Sequence, residues 1–249
     1  MRVALCSIGD ELLTGDTVNT NAAWLAERIT DRGGDVRRIL TLPDDRDLIA
    51  RYVREWNDRF DAVVVTGGLG GTPDDVTMEA VADALDRDLV VDEGERRRLA
   101  ARARRLERDR PDLVEEWDFR MRLDAGASIP EGSRPLSTDA GWAPGCVVEN
   151  VYVLPGFPDE MKPMFELVVE EFDGDVVSDD VLTPTPEGAL YDALEGARER
   201  FDVTVGSYPT KGDRPGRVTV TGTDPDEVAE AIEWLRATVA VIDPGDDTA

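Results

Sequence analysis

The chain has 249 residues, 54 of them acidic and 28 basic, with no histidine and a formal net charge of -26. That length supports one large domain or, more naturally, one of about 170 residues with a smaller companion. Without histidine, Ser-His-Asp hydrolysis, His-ligated zinc and imidazole general bases are excluded, and the acidity leaves no basic stripe with which to bind nucleic acid.

The acids are spread along the whole chain and the basic residues are nearly all arginine, Lys162 and Lys211 being the only lysines. This composition suits a surface in high salt, because at about 1 M salt the Debye length is only about 3 Å and self-repulsion is screened. Cys6 and Cys146 sit among apolar neighbours and read as reduced, buried thiols. No apolar run approaches the roughly 20 residues that a membrane-spanning helix needs, and "MRVALCSIGDELL" carries no signal-peptide pattern. The expectation is therefore a cytoplasmic protein, in a cytoplasm of high salt, that contacts neither membrane nor nucleic acid.

In chain order, "RVALCSIG" (2–9) predicts a strand, followed by a helix in which Ala22, Leu25, Ala26 and Ile29 recur at helical spacing. "DVRRILTLP" predicts a second strand, and "DDRDLIARYVREWNDRF" a second helix with Ile49, Tyr52, Val53, Trp56 and Phe60 on one face. "DAVVVTGG" is apolar throughout, as in a strand buried on both faces of a parallel sheet. Residues 93–123 predict a charged, solvated helix broken at Pro111, and a hairpin is expected to turn at Glu149-Asn150. This alternation predicts an α/β fold, a doubly wound, mostly parallel sheet over residues 1–172. Residues 176–242 read β-α-β-β-α-β, with a last strand in "AVID", which is the order of a ferredoxin-like α+β domain, and 243–249 form an acidic tail.

In such sheets ligands bind beyond the carboxyl ends of the strands, where three loops here carry acids: "GDELLTG", "LPDD" and "GGLGGTPDD". The last contains Gly67, Gly68, Leu69, Gly70 and Gly71, a glycine density that costs backbone entropy unless positive φ or close approach of a ligand requires it. Thr72 as N-cap, Pro73 at the first helical position and Asp75 as capping-box acid predict a helix start directly after it. Amides at that start would form an anion site, although neither a Walker A lysine nor a G-x-G-x-x-G spacing is present. Asp74 and Asp75 would repel bare phosphate but could hold a divalent cation that bridges to one, joined by Asp44 or Asp45 and by Asp10 or Glu11 after Gly9. Oxygen ligands favour magnesium, manganese or another hard ion such as cobalt, with no haem, flavin or zinc cofactor. Asn19 and Asn21 are helix caps or nucleotide contacts. "GWAPG", with Gly141, Pro144 and Gly145, and "LPGFPDEM", with Pro155 and Gly156, are loops able to close a pocket.

"IGDELLTG" (8–15), "NTNAAWLA" (19–26), "PDD" (43–45), "TGGLGGTPDDVTMEA" (66–80), "GWAPG" (141–145) and "LPGFPDEMKPMFE" (154–166) occur in that order. By these motifs residues 1–172 resemble the molybdopterin-binding-like superfamily of MoaB and Mog, and specifically the N-terminal domain of the CinA, or competence-damage-inducible, family. The resemblance implies a three-layer fold, a nucleotide- or pterin-binding pocket and a homodimer. It further implies a metal-dependent pyrophosphatase acting on ADP-ribose, or on FAD as in the related domain of some FAD synthases, with Asp75 and Asp44 matched to catalysis or binding; with the acids of the loops added, the catalytic set expected is Asp75, Asp74 and Asp44 and the metal set Asp75, Asp74 and Asp45. Leu69 and Asp74 stand where molybdopterin adenylyltransferases place Thr and Arg, which puts the chain on the CinA side; adenylylation and non-catalytic binding are the alternatives. Gly71, Thr138 and Trp142 depart from the family pattern, where proline, asparagine and threonine are usual. No match to the nicotinamide-mononucleotide deamidase domain of many bacterial members falls within these residues, so that activity is not expected.

Overall fold

The computed structural model describes residues 1–112, 122–212 and 215–242, which fall into two units, Met1–Asp173 and Gly174–Ala249. The first runs β1 (Arg2–Ile8), α1 (Asp10–Thr14), α2 (Thr20–Asp31), β2 (Asp35–Leu42), α3 (Arg46–Asn57), β3 (Ala62–Thr66), α4 (Thr77–Ala84), β4 (Leu89–Val91) and α5 (Glu93–Asp109). It continues α6 (Leu123–Gly126), β5 (Ser128–Pro130), β6 (Arg134–Leu136), β7 (Gly145–Val148), β8 (Val151–Leu154) and α7 (Pro158–Glu166). Six strands form one sheet in the order β2-β1-β3-β8-β7-β6, parallel except for β7, which runs against both neighbours.

The apolar strands are explained by burial on both faces. Ala4, Cys6, Ile8, Val63, Val65, Val151 and Val153 pack under Ile49, Val53 and Trp56 of α3 and Ala80, Val81 and Ala84 of α4. Val3, Leu5, Val64, Tyr152 and Leu154 point the other way, to Leu25 and Ile29 of α2 and Met161, Met164 and Phe165 of α7. Successive residues thus alternate between two cores, the period-two rule of a strand in a three-layer sandwich. β1 lies between β2 and β3, so the chain reverses its direction across the sheet there. The carboxyl ends of β1 and β3 flank that switch point.

The arginine-rich helix ends at Asp109, two residues before Pro111; residues 113–121 of its predicted continuation lie outside the described residues. The hairpin turns as expected, with Glu149 at φ 53°. No helix among the described residues is long and apolar enough to cross a membrane.

The second unit contains β9 (Val177–Leu182), a 3-10 turn at Glu187–Ala189, α8 (Tyr191–Arg200), β10 (Thr204–Tyr208), β11 (Arg217–Gly222) and α9 (Pro225–Thr238). Its antiparallel sheet, ordered β10-β11-β9, places Val181, Val205, Val218 and Val220 against Ala193, Ala197, Val228, Ala231, Ile232 and Leu235. The fourth strand predicted from "AVID" does not form among the described residues. Ile242 donates one backbone hydrogen bond to Leu182 of β9 (2.9 Å), and one bond does not make a ladder. The predicted acidic tail, 243–249, lies outside the described residues.

Candidate functional site

Three strand ends meet through bare backbone. Gly67, at φ 98°, follows β3; a Cβ there would overlap the Ile8 carbonyl oxygen at the end of β1. Its N–H donates to Leu154 O of β8 (3.1 Å), and a Cβ on Gly156 would stand 3.3 Å from Gly67 Cα. No side chain fits between these loops, so glycine is required at Gly67 both by φ and by contact. Gly68 (φ 63°) lies against the Thr77 hydroxyl, which a Cβ would strike, and its carbonyl accepts the Thr77 N–H at 3.2 Å.

Two polar atoms at this junction have no partner among the described residues. Thr77 is fully buried and its Oγ1 makes no hydrogen bond; Asn21 donates through Nδ2 to Gly156 O (2.6 Å), while its Oδ1 is buried and unpaired. Buried polar groups of this kind take a partner, whether ordered water, an ion or a ligand. Sequence reasoning missed Thr77, which it placed inside an ordinary helix turn.

The helix start predicted at Thr72 is corrected: α4 begins at Thr77, and Val76 precedes it without a side-chain cap. Thr72-Pro73-Asp74-Asp75 is instead a turn, in which Asp75 N–H bonds Thr72 O (3.1 Å) and Asp75 Oδ2 accepts the Thr72 N–H (2.9 Å) and hydroxyl (2.6 Å). The Thr-Asp pair satisfies itself locally and so competes with helix initiation. Gly70 allows this closure, because a Cβ would fall on the Asp75 carboxylate; Gly71 faces open space, and Leu69 packs on the core beneath α4.

The acids divide by role. Asp45 caps α3, accepting Leu48 N–H at 2.9 Å, so the residue matched to metal serves the helix. Asp44 is half-buried and its Oδ2 accepts the Asp10 N–H (3.1 Å). Burial raises its pKa, the Asp10 hydrogen bond opposes that, and the charges of Asp10, Glu11 and Asp74 raise it further. Among the described residues no group of three or more potential ligands is placed to hold a metal ion. With Asp45 and Asp75 engaged in local hydrogen bonds, Asp44 is the carboxylate that faces the charges of Asp10, Glu11 and Asp74.

The remaining predicted residues line or brace this rim. Gly9 N–H donates to Leu42 O (3.1 Å), tying the loop after β1 to the end of β2. Asn19 is the cap of α2: Oδ1 accepts Ala22 N–H (3.1 Å) and the Ser7 hydroxyl (3.3 Å), and Nδ2 reaches Thr41 (3.4 Å), so its polar atoms are used by the fold. Pro144 and Pro155 are buried, and Gly145 opens β7 where a Cβ would collide with Val153 O. Gly141 lies in the loop before it.

Known proteins resemble this chain in sequence and fold. Residues 4–174 match the family described as "Probable molybdopterin binding domain", and residues 175–243 match "FAD synthase, middle domain". A protein of Archaeoglobus fulgidus is 38% identical over 242 residues, 94% of this chain and 96% of its own length. A CinA-like protein of Frankia casuarinae is 42% identical over 170 residues, 66% of this chain but 38% of that one. A crystal structure of the CinA protein from Thermoplasma acidophilum, 32% identical, superposes with a TM-score of 0.58, covering 70% of this chain and 99% of that one.

Proposed function

Because the chain belongs to the CinA family of the MoaB/Mog-like, molybdopterin-binding superfamily, we propose that its first unit binds a nucleotide or molybdopterin by its phosphates and hydrolyses the diphosphate of an ADP-ribose-type nucleotide. The observation that supports the binding step is the pair of buried, unpartnered atoms Thr77 Oγ1 and Asn21 Oδ1 beside the Gly67–Gly156 junction at the strand ends. The amides of the Gly67–Gly71 loop would bind the diphosphate, and Asn21 would orient the ligand beside Gly156. Asp44, with Asp74 near it, would hold the divalent cation, which when bound supplies Lewis-acid polarisation and an activated water. Water then adds across the P–O–P bridge of ADP-ribose, giving AMP and ribose 5-phosphate. The match of the second unit to the FAD synthase middle domain supports testing FAD as well.

A second reading, molybdopterin binding or adenylylation, is supported by the description of the family matched by residues 4–174. One experiment separates the two. The protein, in molar KCl with Mg, Mn or Co, is offered ADP-ribose, FAD, NAD, and molybdopterin with ATP, while AMP and adenylylated pterin are followed. The hydrolase predicts AMP from ADP-ribose or FAD, reduced about 100-fold in Asp44→Asn. No AMP from either, with tight binding of molybdopterin, overturns hydrolysis and favours the second reading.

A further inference from the structure

One face of α5 grips four consecutive carbonyls of the loop that leads into β7. Arg98 donates from Nη1 to Gly141 O (3.1 Å) and from Nη2 to Trp142 O (3.0 Å). One turn on, Arg102 donates from Nη1 to Asp139 O (2.7 Å) and from Nη2 to Ala140 O (3.0 Å), and its guanidinium covers the Trp142 ring at 4.5 Å from the centroid. Behind them Glu95, only 6% exposed, accepts Arg98 Nε on one oxygen (2.6 Å) and the Ser137 hydroxyl on the other (2.9 Å). Glu160, in the first turn of α7 and within reach of the charges of Arg98 and Arg102, accepts the Trp142 backbone N–H, and a Cβ on Gly141 would stand 3.0 Å from its carboxylate. The loop is held from both α5 and α7.

Its position follows from topology. β7 runs antiparallel to β8, so Gly145 and the residues before it emerge at the carboxyl end of β8, the rim that carries Gly156 and Gly67. A connection between β6 and β7 could be short and loosely held. Two bidentate guanidinium contacts backed by a buried carboxylate are far more than a connection needs, and Thr138 adds a buried, unpaired Oγ1 in the same loop.

We propose that Arg98 and Arg102 are positioning residues that fix residues 139–142 as a rigid wall of the ligand crevice and so set the affinity for the part of the ligand beyond its phosphates. This rests on the ligand-binding reading above. Lysine keeps the charge but cannot bond two carbonyls in a plane, so Arg98→Lys and Arg102→Lys test the geometry rather than the charge. Arg108→Lys, at the exposed end of α5, is the control.

Two measurements are made on the full chain in high salt: hydrogen exchange of the 137–145 amides without ligand, and binding and turnover of ADP-ribose. Each clamp variant is expected to speed exchange in 139–142 and to raise Kd and KM about tenfold while kcat stays within about twofold, since misplacing a wall costs binding before chemistry. The control changes neither. Unchanged exchange, or faster exchange with unaltered Kd, overturns the proposal while leaving the ligand reading in place. A wild-type protein that binds neither ADP-ribose nor molybdopterin overturns both together.

Discussion

The two units differ in what becomes of some of their hydroxyl groups. In the second, Ser178 bonds Thr221 (2.7 Å), Thr219 bonds Asp180 (2.5 Å) and Ser207 bonds Glu187 (2.9 Å), so the polar face of the sheet is paired with itself. In the first, Thr77 and Thr138 bury hydroxyl oxygens with no partner, and Asn21 does the same with its amide oxygen. Glycines differ likewise: Gly67 has positive φ and a neighbouring backbone in the way, whereas Gly212 has positive φ and open space. Among the described residues the buried hydroxyls without a partner lie in the first unit, and Gly67 meets backbone where Gly212 meets none. That contrast supports the ligand site proposed at the switch point of the first sheet.

The largest test exchanges alanine for glycine in each unit. Gly67→Ala forces a Cβ onto the Ile8 carbonyl and is expected to cost about 3 kcal/mol, and to abolish nucleotide binding. Gly212→Ala meets only the left-handed φ and is expected to cost about 1 kcal/mol, leaving binding intact. Denaturant titration in molar KCl with a binding isotherm reads both. Equal losses would break the contrast, because the close approach at Gly67 would then count for nothing.

A finer test concerns the hydroxyls. Thr77→Val removes a buried oxygen that has no partner and is expected to stabilise the protein by about 1 kcal/mol while weakening ligand binding about tenfold. Thr219→Val breaks a made hydrogen bond and is expected to lose about 0.5 kcal/mol with no change in binding. A destabilised Thr77→Val would mean that the hydroxyl is satisfied after all, and the functional argument built on it would fall.

What the sequence disclosed follows the reach of periodicity. The alternation in β1 and β3 and the apolar face of α3 depend on residues a few positions apart, and these elements form where the pattern puts them. The start of α4 was not legible, because Thr72 and Asp75 look the same in a capping box and in the turn they make; only Gly68, whose carbonyl takes the Thr77 amide, decides between them. Asp44 and Asp45 are adjacent and chemically identical, yet one faces the acids of the rim and the other caps a helix. The arginines of α5 read as a solvated ion-pair face since their partners, the carbonyls of 139–142, have no side-chain signature.

The smallest effect separates those two aspartates by pH. Burial, with the charges of Asp10, Glu11 and Asp74, raises the folded-state pKa of Asp44 above its unfolded value, against the pull of the Asp10 hydrogen bond. A carboxyl group with a raised folded pKa contributes stability below its unfolded pKa and loses it as pH rises through the folded one. Asp44→Asn, which can still accept the Asp10 N–H, is therefore expected to raise Tm slightly at neutral pH, with the gain vanishing as acid protonates the wild-type carboxylate. Asp45→Ala loses a helix cap and is expected to cost about 1 kcal/mol. Thermal melts of both variants across the acid range check the signs. An Asp44→Asn protein that is less stable than wild type at neutral pH would show that the carboxylate is held by favourable contacts, and the rim would then be a structural cluster instead of a seat kept ready for a cation.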